Sequence, residues 1–284
     1  MITVMVSARA ELLRLRRWPA LWVMLGVWLL LNIIFDYVFT YLGYRNGGGF
    51  GSEGVSREEL FAGLMPAAVP EAVVQGMPMF GGAIMLTLGA LAAGSGYGWG
   101  TWKSAFTQGP GRLAVAAGTL VALAVIVVGL VVVTFAVDLG ISSTLATIEG
   151  QSIVWPAVDD IVRALSGGVL ILGMWVVAGV AVGTLSRSPA LAVGLGAVWV
   201  LVVENLLRGA GTLLDWLGPV TDVMPGTVAG SFAAALGATP VSEEGGTPGV
   251  VTNLSGGPAV ALALAYLVAF AVMTGALVKR RDID

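Results

Sequence analysis

Four polar residues stand inside otherwise apolar stretches of the chain: Asn32 and Asp36, one helical turn apart, and the neighbours Glu204 and Asn205. Carboxylates in such surroundings usually mark an ion or substrate path. Two arrangements suit them. They form a polar vestibule at one membrane face, or they snorkel to the interface, with Glu204 paired to Arg208 at i,i+4. Catalytic sets are excluded by composition. The 284 residues include no His and no Cys, so no Ser-His triad, thiolate nucleophile, His- or Cys-ligated zinc site or histidine proton relay can be assembled. Ala93-Gly-Ser-Gly96 offers a serine without a base. Because no Gly-x-x-x-x-Gly-Lys-Ser/Thr loop is present, the chain is not expected to hydrolyse nucleotide, to be an enzyme, or to bind a cofactor or metal itself.

The elements that hold these residues are six apolar stretches, at 20–44, 77–95, 113–137, 165–185, 189–207 and 258–278. Each has about 20 residues or more, enough at about 1.5 Å per residue to cross a hydrocarbon core of roughly 30 Å. With 57% hydrophobic and 11% charged residues, a soluble fold would lack the charge to cover its surface. The expected fold class is an all-α polytopic membrane protein, a single transmembrane domain over 1–284. Counted from positions 19 and 189, Asp36 and Glu204 rise about 22 to 26 Å, close to the far boundary.

Charge sets the expected orientation. Of the 14 Lys and Arg, one side of the spans carries Arg9, Arg14, Arg16, Arg17, Lys103, Arg112, Arg187, Lys279, Arg280 and Arg281. That side holds only three acids, Glu11, Asp282 and Asp284. By the positive-inside rule it is cytoplasmic, and both termini lie there. The first span is too long for a signal's apolar core, and four Arg precede it. Segment 206–237 is broken by Arg208, Asp215, Pro219, Asp222 and Pro225, and reads as short helices within an outer loop over 208–257, lying on or dipping into the outer leaflet. Stretches 43–75 and 239–257 are rich in Gly, Pro, Ser and acids, so loose outer loops are expected. Gly179-x-x-x-Gly183 suits close helix packing, within the chain or between subunits.

Two inner segments look specific. Over 1–18, Val4, Met5, Leu12, Leu15 and Trp18 share one helical sector, while Arg9, Arg14, Arg16 and Arg17 occupy the other. This suits an interfacial helix that anchors to anionic lipid or contributes to a docking surface. Over 97–112, Thr101 can cap a short helix that ends at Gly109-Pro110-Gly111. Trp102, Ala105 and Phe106 would share one side, beside Lys103. That is either a plug for a groove on another protein or a tryptophan-rich turn at the headgroups.

Three features together resemble permease subunits of the ABC-2 type of ATP-binding cassette transporters, particularly bacterial exporters whose ATPase is a separate polypeptide. They are Ala10-Glu-Leu-Leu-Arg-Leu-Arg-Arg-Trp-Pro19, the loop from Gly100-Thr101 to Gly109-Pro110-Gly111-Arg112, and the closing Lys279-Arg-Arg-Asp-Ile-Asp284. The number and orientation of the spans extend the resemblance over the whole chain. It implies the ABC-2 permease fold, a bacterial inner-membrane location, and a coupling role toward the ATPase for Gly100, Thr101, Trp102, Lys103, Phe106 and Arg112. Relatives often carry an acidic residue before the Gly-Thr pair, and Gly94-Ser-Gly-Tyr-Gly98 has none. The implied partners are a cytoplasmic cassette ATPase, which holds the ATP and Mg²⁺, a second permease chain, identical or paralogous, and membrane lipid, with no nucleic acid.

The middle depths of the spans read as almost free of ionisable groups. No coupling-ion site is therefore expected, and the energy must come from outside the chain. Such a dry interior suits an amphipathic or hydrophobic cargo, an antibiotic, peptide or lipid. The competing functions are an ATPase-independent membrane scaffold or assembly factor, and a passive channel, the last without any charged pore ring.

Overall fold

A computed structural model describes residues 2–48, 54–98, 111–211 and 213–280. Helix α1 (Ile2–Arg16) stops at Arg17-Trp18, and Pro19, which has no N–H to give, opens α2 (Pro19–Asn46). The short α3 (Arg57–Gly63) is held by a reciprocal cap in which Glu59 N–H donates to Ser56 Oγ and Ser56 N–H donates to the Glu59 carboxylate. The Ser56 side chain and backbone bonds hold that exposed carboxyl below its usual range. Then follow α4 (Met77–Gly96), α5 (Arg112–Ile148), α6 (Val158–Ser186), α7 (Pro189–Gly211), α8 (Pro225–Ala235) and α9 (Gly256–Arg280). Among the described residues no strand occurs, and six helices, α2, α4, α5, α6, α7 and α9, are long and apolar enough to cross a membrane.

Helix α6 is the centre of the bundle, packed against α4, α5, α7 and α9. Its approach to α4 is backbone to backbone. A Cβ on Gly179 would stand 2.0 Å from Leu86 O, and one on Gly89 would stand 2.0 Å from Val176 O. Only glycine permits that crossing, so the packing expected of Gly179 and Gly183 falls within the chain. The periphery is inverted relative to a water-soluble fold. Trp22, Val23 and Leu30 of α2, Leu191, Leu195 and Val198 of α7, and Leu264, Val268 and Val272 of α9 all face outward. In water each would forfeit about 25 cal/mol per Å² of apolar surface; against acyl chains the cost vanishes.

Two helices outrun their hydropathy limits. Helix α5 has 37 residues rather than ending near 137, because the stop signal lies further on. Gly150 adopts φ 69° and its N–H donates to Thr147 O, while Gln151 N–H donates to Ala146 O, the paired bonds of a Schellman cap. Helix α6 starts at Val158 rather than near 165, with Asp159 and Asp160 in its first turn, where the helix dipole favours negative charge. Among the described residues three helical turns are of π type, Ile33–Phe39, Met77–Gly81 and Trp199–Val203.

Contacts sort the elements into two ends. At the first, the α1 residues Ser7 and Ala8 press on Gly118 of α5, Pro189 sits on Gly94, and Leu113 lies beside Gly275 of α9. The described members of the basic set, Arg9, Arg14, Arg16, Arg17, Arg112, Arg187, Lys279 and Arg280, belong to these elements. At the second end the segments expected to be outer and loose are packed. Leu64, Val69, Val73, Val74 and Val250 are buried. Gln75 ties the two stretches together: its Oε1 accepts from Thr239 N–H at 3.1 Å and from Thr247 Oγ1 at 2.8 Å, and its Nε2 donates to Thr239 Oγ1 at 3.1 Å. A side-chain amide with three partners can organise such a segment without regular structure.

The segment expected to lie on or dip into the leaflet divides. Leu213 and Trp216 are exposed, whereas Thr227 to Ala233 of α8 are buried within the bundle. Helix α8 packs on α9 and on the π turn that opens α4.

Candidate functional site

The first site is at the basic end. Helix α1 turns Val4, Ala8, Leu12 and Leu15 toward the protein, with Ala8 and Leu15 buried, and Trp18 follows in the turn after it. Met5, expected in that sector, is 63% exposed, because α1 lies along the start of α5 rather than resting alone at an interface. Arg14 is the second departure. Expected on the outward sector, it is half-buried, paired with Glu11, and donates from Nη2 to Ala92 O at 3.0 Å, with Nη1 3.5 Å from Ser95 Oγ. Its guanidinium fork reaches the last turn of α4, which has no basic residue of its own.

Helix α1 thus touches both stems of the segment expected to couple: the end of α4 through Arg14, and the start of α5 through Ser7 and Ala8. Gly100, Thr101, Trp102, Lys103 and Phe106 lie outside the described residues. Arg112 opens α5, directly after the N-cap Gly111. Arg9, Arg16 and Arg17 are exposed; Trp18 is half-buried and stands at the N-cap position of α2 without a side-chain capping bond. The Arg187 turn, with its left-handed φ of 52°, lies beside the same α4 end, since Pro189 sits on Gly94. Replacing Arg14 with Ala should loosen α1 by about 1 kcal/mol, less than a buried charged hydrogen bond gives because the group is partly solvated. Amide exchange over residues 3–16 should quicken about fivefold, and unchanged exchange would count against the clasp.

The second site is a polar seam between α2 and α5, which run in the same direction. Trp28 Nε1 donates to Thr134 Oγ1 at 3.0 Å, Asn32 Nδ2 donates to Asp138 Oδ1 at 2.7 Å, and Ser142 Oγ lies 3.4 Å from Tyr37 OH. Beyond them Tyr41 OH donates to Glu149 Oε1 at 2.8 Å, with Tyr44 and Arg45 on the same carboxylate. Along α2 the seam steps from 28 to 32, to 37 and to 41. A five-residue step would leave the face of a regular α-helix, and the π turn over Ile33–Phe39 absorbs the extra residue. Trp28 also covers Gly76 and Gly81, so it joins α2 and α5 to the start of α4.

The seam corrects two expectations. Asp138 is fully buried within α5, an ionisable group of that helix that the apolar stretch 113–137 leaves out. The residues Thr134, Asp138 and Ser142 at i, i+4 and i+8 mark it, but a span drawn to end at 137 placed Asp138 outside. Asn32 is not open to a vestibule; it is 4% exposed, about 20 Å from the start of α2 by helical rise. Asp36 is half-buried on the π turn, within electrostatic reach of Asp138.

Glu204 forms neither the vestibule nor the ion pair expected of it. Its carboxylate is buried at the N-terminus of α8, where Oε1 accepts from Thr227 N–H at 2.7 Å. A Cβ on Gly226 would stand 2.6 Å from Oε1, so glycine is required for that approach. This is a carboxyl group at the positive end of a helix, supplied by a residue 23 positions earlier. Arg208 donates instead to Asn205 Oδ1, and Asn205 Nδ2 donates to Leu201 O at 3.1 Å. The two polar pairs therefore turn to different partners, Asn32 and Asp36 toward α5, Glu204 toward α8. Glu204→Ala should cost about 1.5–3 kcal/mol and release α8. Because the chain has no native Cys, an Ala229→Cys probe at a fully buried position reads this directly. It should be inert to thiol reagents alone and labelled in the Glu204→Ala background; labelling in both would remove Glu204 as the anchor.

Among the described residues no group of three or more His, Cys, Asp or Glu is placed to hold a metal ion. The geometry supplies helix-to-helix hydrogen bonding and a cationic end, on a frame whose six long apolar helices are those of a multi-pass α-helical membrane protein. No family model matches the chain, and no curated protein matches it.

Proposed function

We propose that this chain is the permease subunit of an ATP-binding cassette exporter of the ABC-2 type in a bacterial inner membrane. Its arginine-rich end lies in the cytoplasm, and a separate cassette ATPase binds there and supplies the ATP and Mg²⁺ chemistry. Two permease chains, identical or paralogous, form the path for an amphipathic or hydrophobic cargo. Closure of the ATPase pair moves segment 97–112, and the stems of that segment carry the movement into α4 and α5.

The observation that supports this reading is the clasp of α1 across both stems. The last turns of α4 are buried through Gly96, and Gly118 of α5 admits α1 so closely that a Cβ there would lie 2.6 Å from Ser7 Cβ. A displacement of the intervening segment is thus delivered to two spans and one surface helix together. A headgroup anchor needs no such bracing.

An ATPase can reach the basic end only from the cytoplasm, so orientation tests the reading. Single cysteines placed by Ala10→Cys and Ser242→Cys, both at exposed positions, should behave oppositely in intact cells. A membrane-impermeant thiol reagent should label the second and spare the first until the cells are opened. Labelling of the first from outside would end the proposal.

A further inference from the structure

We propose that Asn32 and Asp138 bind one proton between them, as a carboxylic acid–carboxamide pair closed by two hydrogen bonds in the seam of α2 and α5. The inference is independent of the exporter reading. It starts from two buried oxygens without partners, Asn32 Oδ1 and Asp138 Oδ2. These are the atoms left over after Asn32 Nδ2 donates to Asp138 Oδ1 at 2.7 Å. A carboxylate can only accept, and so can an amide oxygen, so neither atom can satisfy the other while Asp138 is ionised. One proton on Oδ2 changes this. Oδ2–H then donates to Asn32 Oδ1, both orphans are paired at once, and no net charge is left in the seam.

Other occupants fit worse. Asp138 is 0% and Asn32 4% exposed, which leaves no opening for an organic cation. Hard metal cations take six or more oxygen ligands, and the pair offers two free oxygens. The groups that face Asp138 add no compensating positive charge. They are Asp36 and Tyr37 on α2, within electrostatic reach. The other helices packed on α5 carry Arg9, Glu11, Arg14 and Arg16 on α1, which lies along the start of α5, Asp159, Asp160 and Arg163 at the start of α6, and Lys279 and Arg280 at the end of α9, while Glu71 lies in the segment before α4. On α5 itself Glu149 is held by Tyr41, Tyr44 and Arg45.

The bound proton has a linkage consequence. The folded state keeps a proton that the unfolded chain releases above about pH 4, so stability falls as pH rises, by up to tenfold in the unfolding equilibrium per pH unit. Asp138→Asn replaces the protonated acid with an amide that donates to Asn32 Oδ1 without a titratable proton. Its melting temperature should match or exceed that of the wild type at neutral pH and should lose this pH slope, whereas Asp138→Leu, which strands the Asn32 amide, should melt lower. The wild type can be read without any variant folding. Full-length protein in nanodiscs, labelled with ¹³C at the aspartate carboxyls, should show the infrared carbonyl stretch of a protonated acid at neutral pH, and Asp138→Asn should lack that band.

Absence of the band in the wild type at neutral pH would overturn the proposal. So would a wild-type stability that responds to sodium against choline at fixed pH and not to pH at fixed sodium, since that result assigns the site to a metal cation.

Discussion

Gly179→Ala should leave no stable bundle. The added methyl would stand 2.0 Å from Leu86 O and 2.9 Å from Ala90 N, both backbone atoms of α4. Rotamer changes cannot relieve a clash with backbone; α4 and α6 must separate. The cost exceeds the roughly 1–3 kcal/mol usual for over-packing, because the strain is shared by the whole crossing. Separation also unseats Gly89, where the reverse contact with Val176 O is equally close. Since α6 contacts four other spans, its displacement disturbs most of the core. The expected result is a loss of monodisperse protein in detergent extracts. Gly140→Ala is the control: nothing lies within 4 Å of its Cβ position, and it should be neutral or stabilising by up to about 1 kcal/mol. Equal behaviour of the two variants would place the α4–α6 crossing elsewhere.

Replacing Trp102 and Phe106 together with Ala should abolish coupling while the spans still fold. If the pair is the apolar anchor for the ATPase subunit, each truncation costs about 2 kcal/mol of binding, roughly 30-fold in affinity. Two such losses remove a stable complex. Reconstituted with the ATPase, the variant should lose cargo-stimulated hydrolysis, while the basal rate of the ATPase alone persists. Melting of the permease should be unchanged, since neither residue belongs to one of the six apolar stretches. A scaffold or a passive channel would be indifferent to the substitution in any ATPase assay.

The six spans were legible because length and hydropathy require no knowledge of partners. Gly179 and Gly183 were legible for a similar reason: small residues four apart on an apolar helix have few uses. Where helices end was less legible, because hydropathy and capping disagree. At α5 the apolar run fades near Val137 but the helix continues to its cap at Gly150, and Asp138 was misplaced in consequence. The polar repeat Thr134, Asp138, Ser142 carried the correct answer. Reading it required extending the helix first.

Tertiary partners were the part the sequence concealed. Glu204 and Arg208 have ion-pair spacing, yet the N-terminus of α8 takes the carboxylate instead, from 23 residues away. Gln75 sits in a stretch of Pro and Gly that reads as loose, and its three bonds bridge separations of 164 and 172 residues. The π turn in α2 has no sequence signature of its own and becomes visible only as the five-residue step that keeps Tyr37 in line with Asn32. Arg14 shows the same limit on a smaller scale: helical phase placed it with the other arginines, and contact with Ala92 O turned it inward.

The central claim, that this chain works with a separate ATPase, is tested most directly by purification of the tagged protein from its native membranes, with mass spectrometry of the chains that accompany it and an assay of ATP hydrolysis. The account predicts a cytoplasmic cassette ATPase in stoichiometric amount and vanadate-sensitive hydrolysis in the complex. Recovery of the chain without any ATPase, from membranes that contain that ATPase, would contradict it.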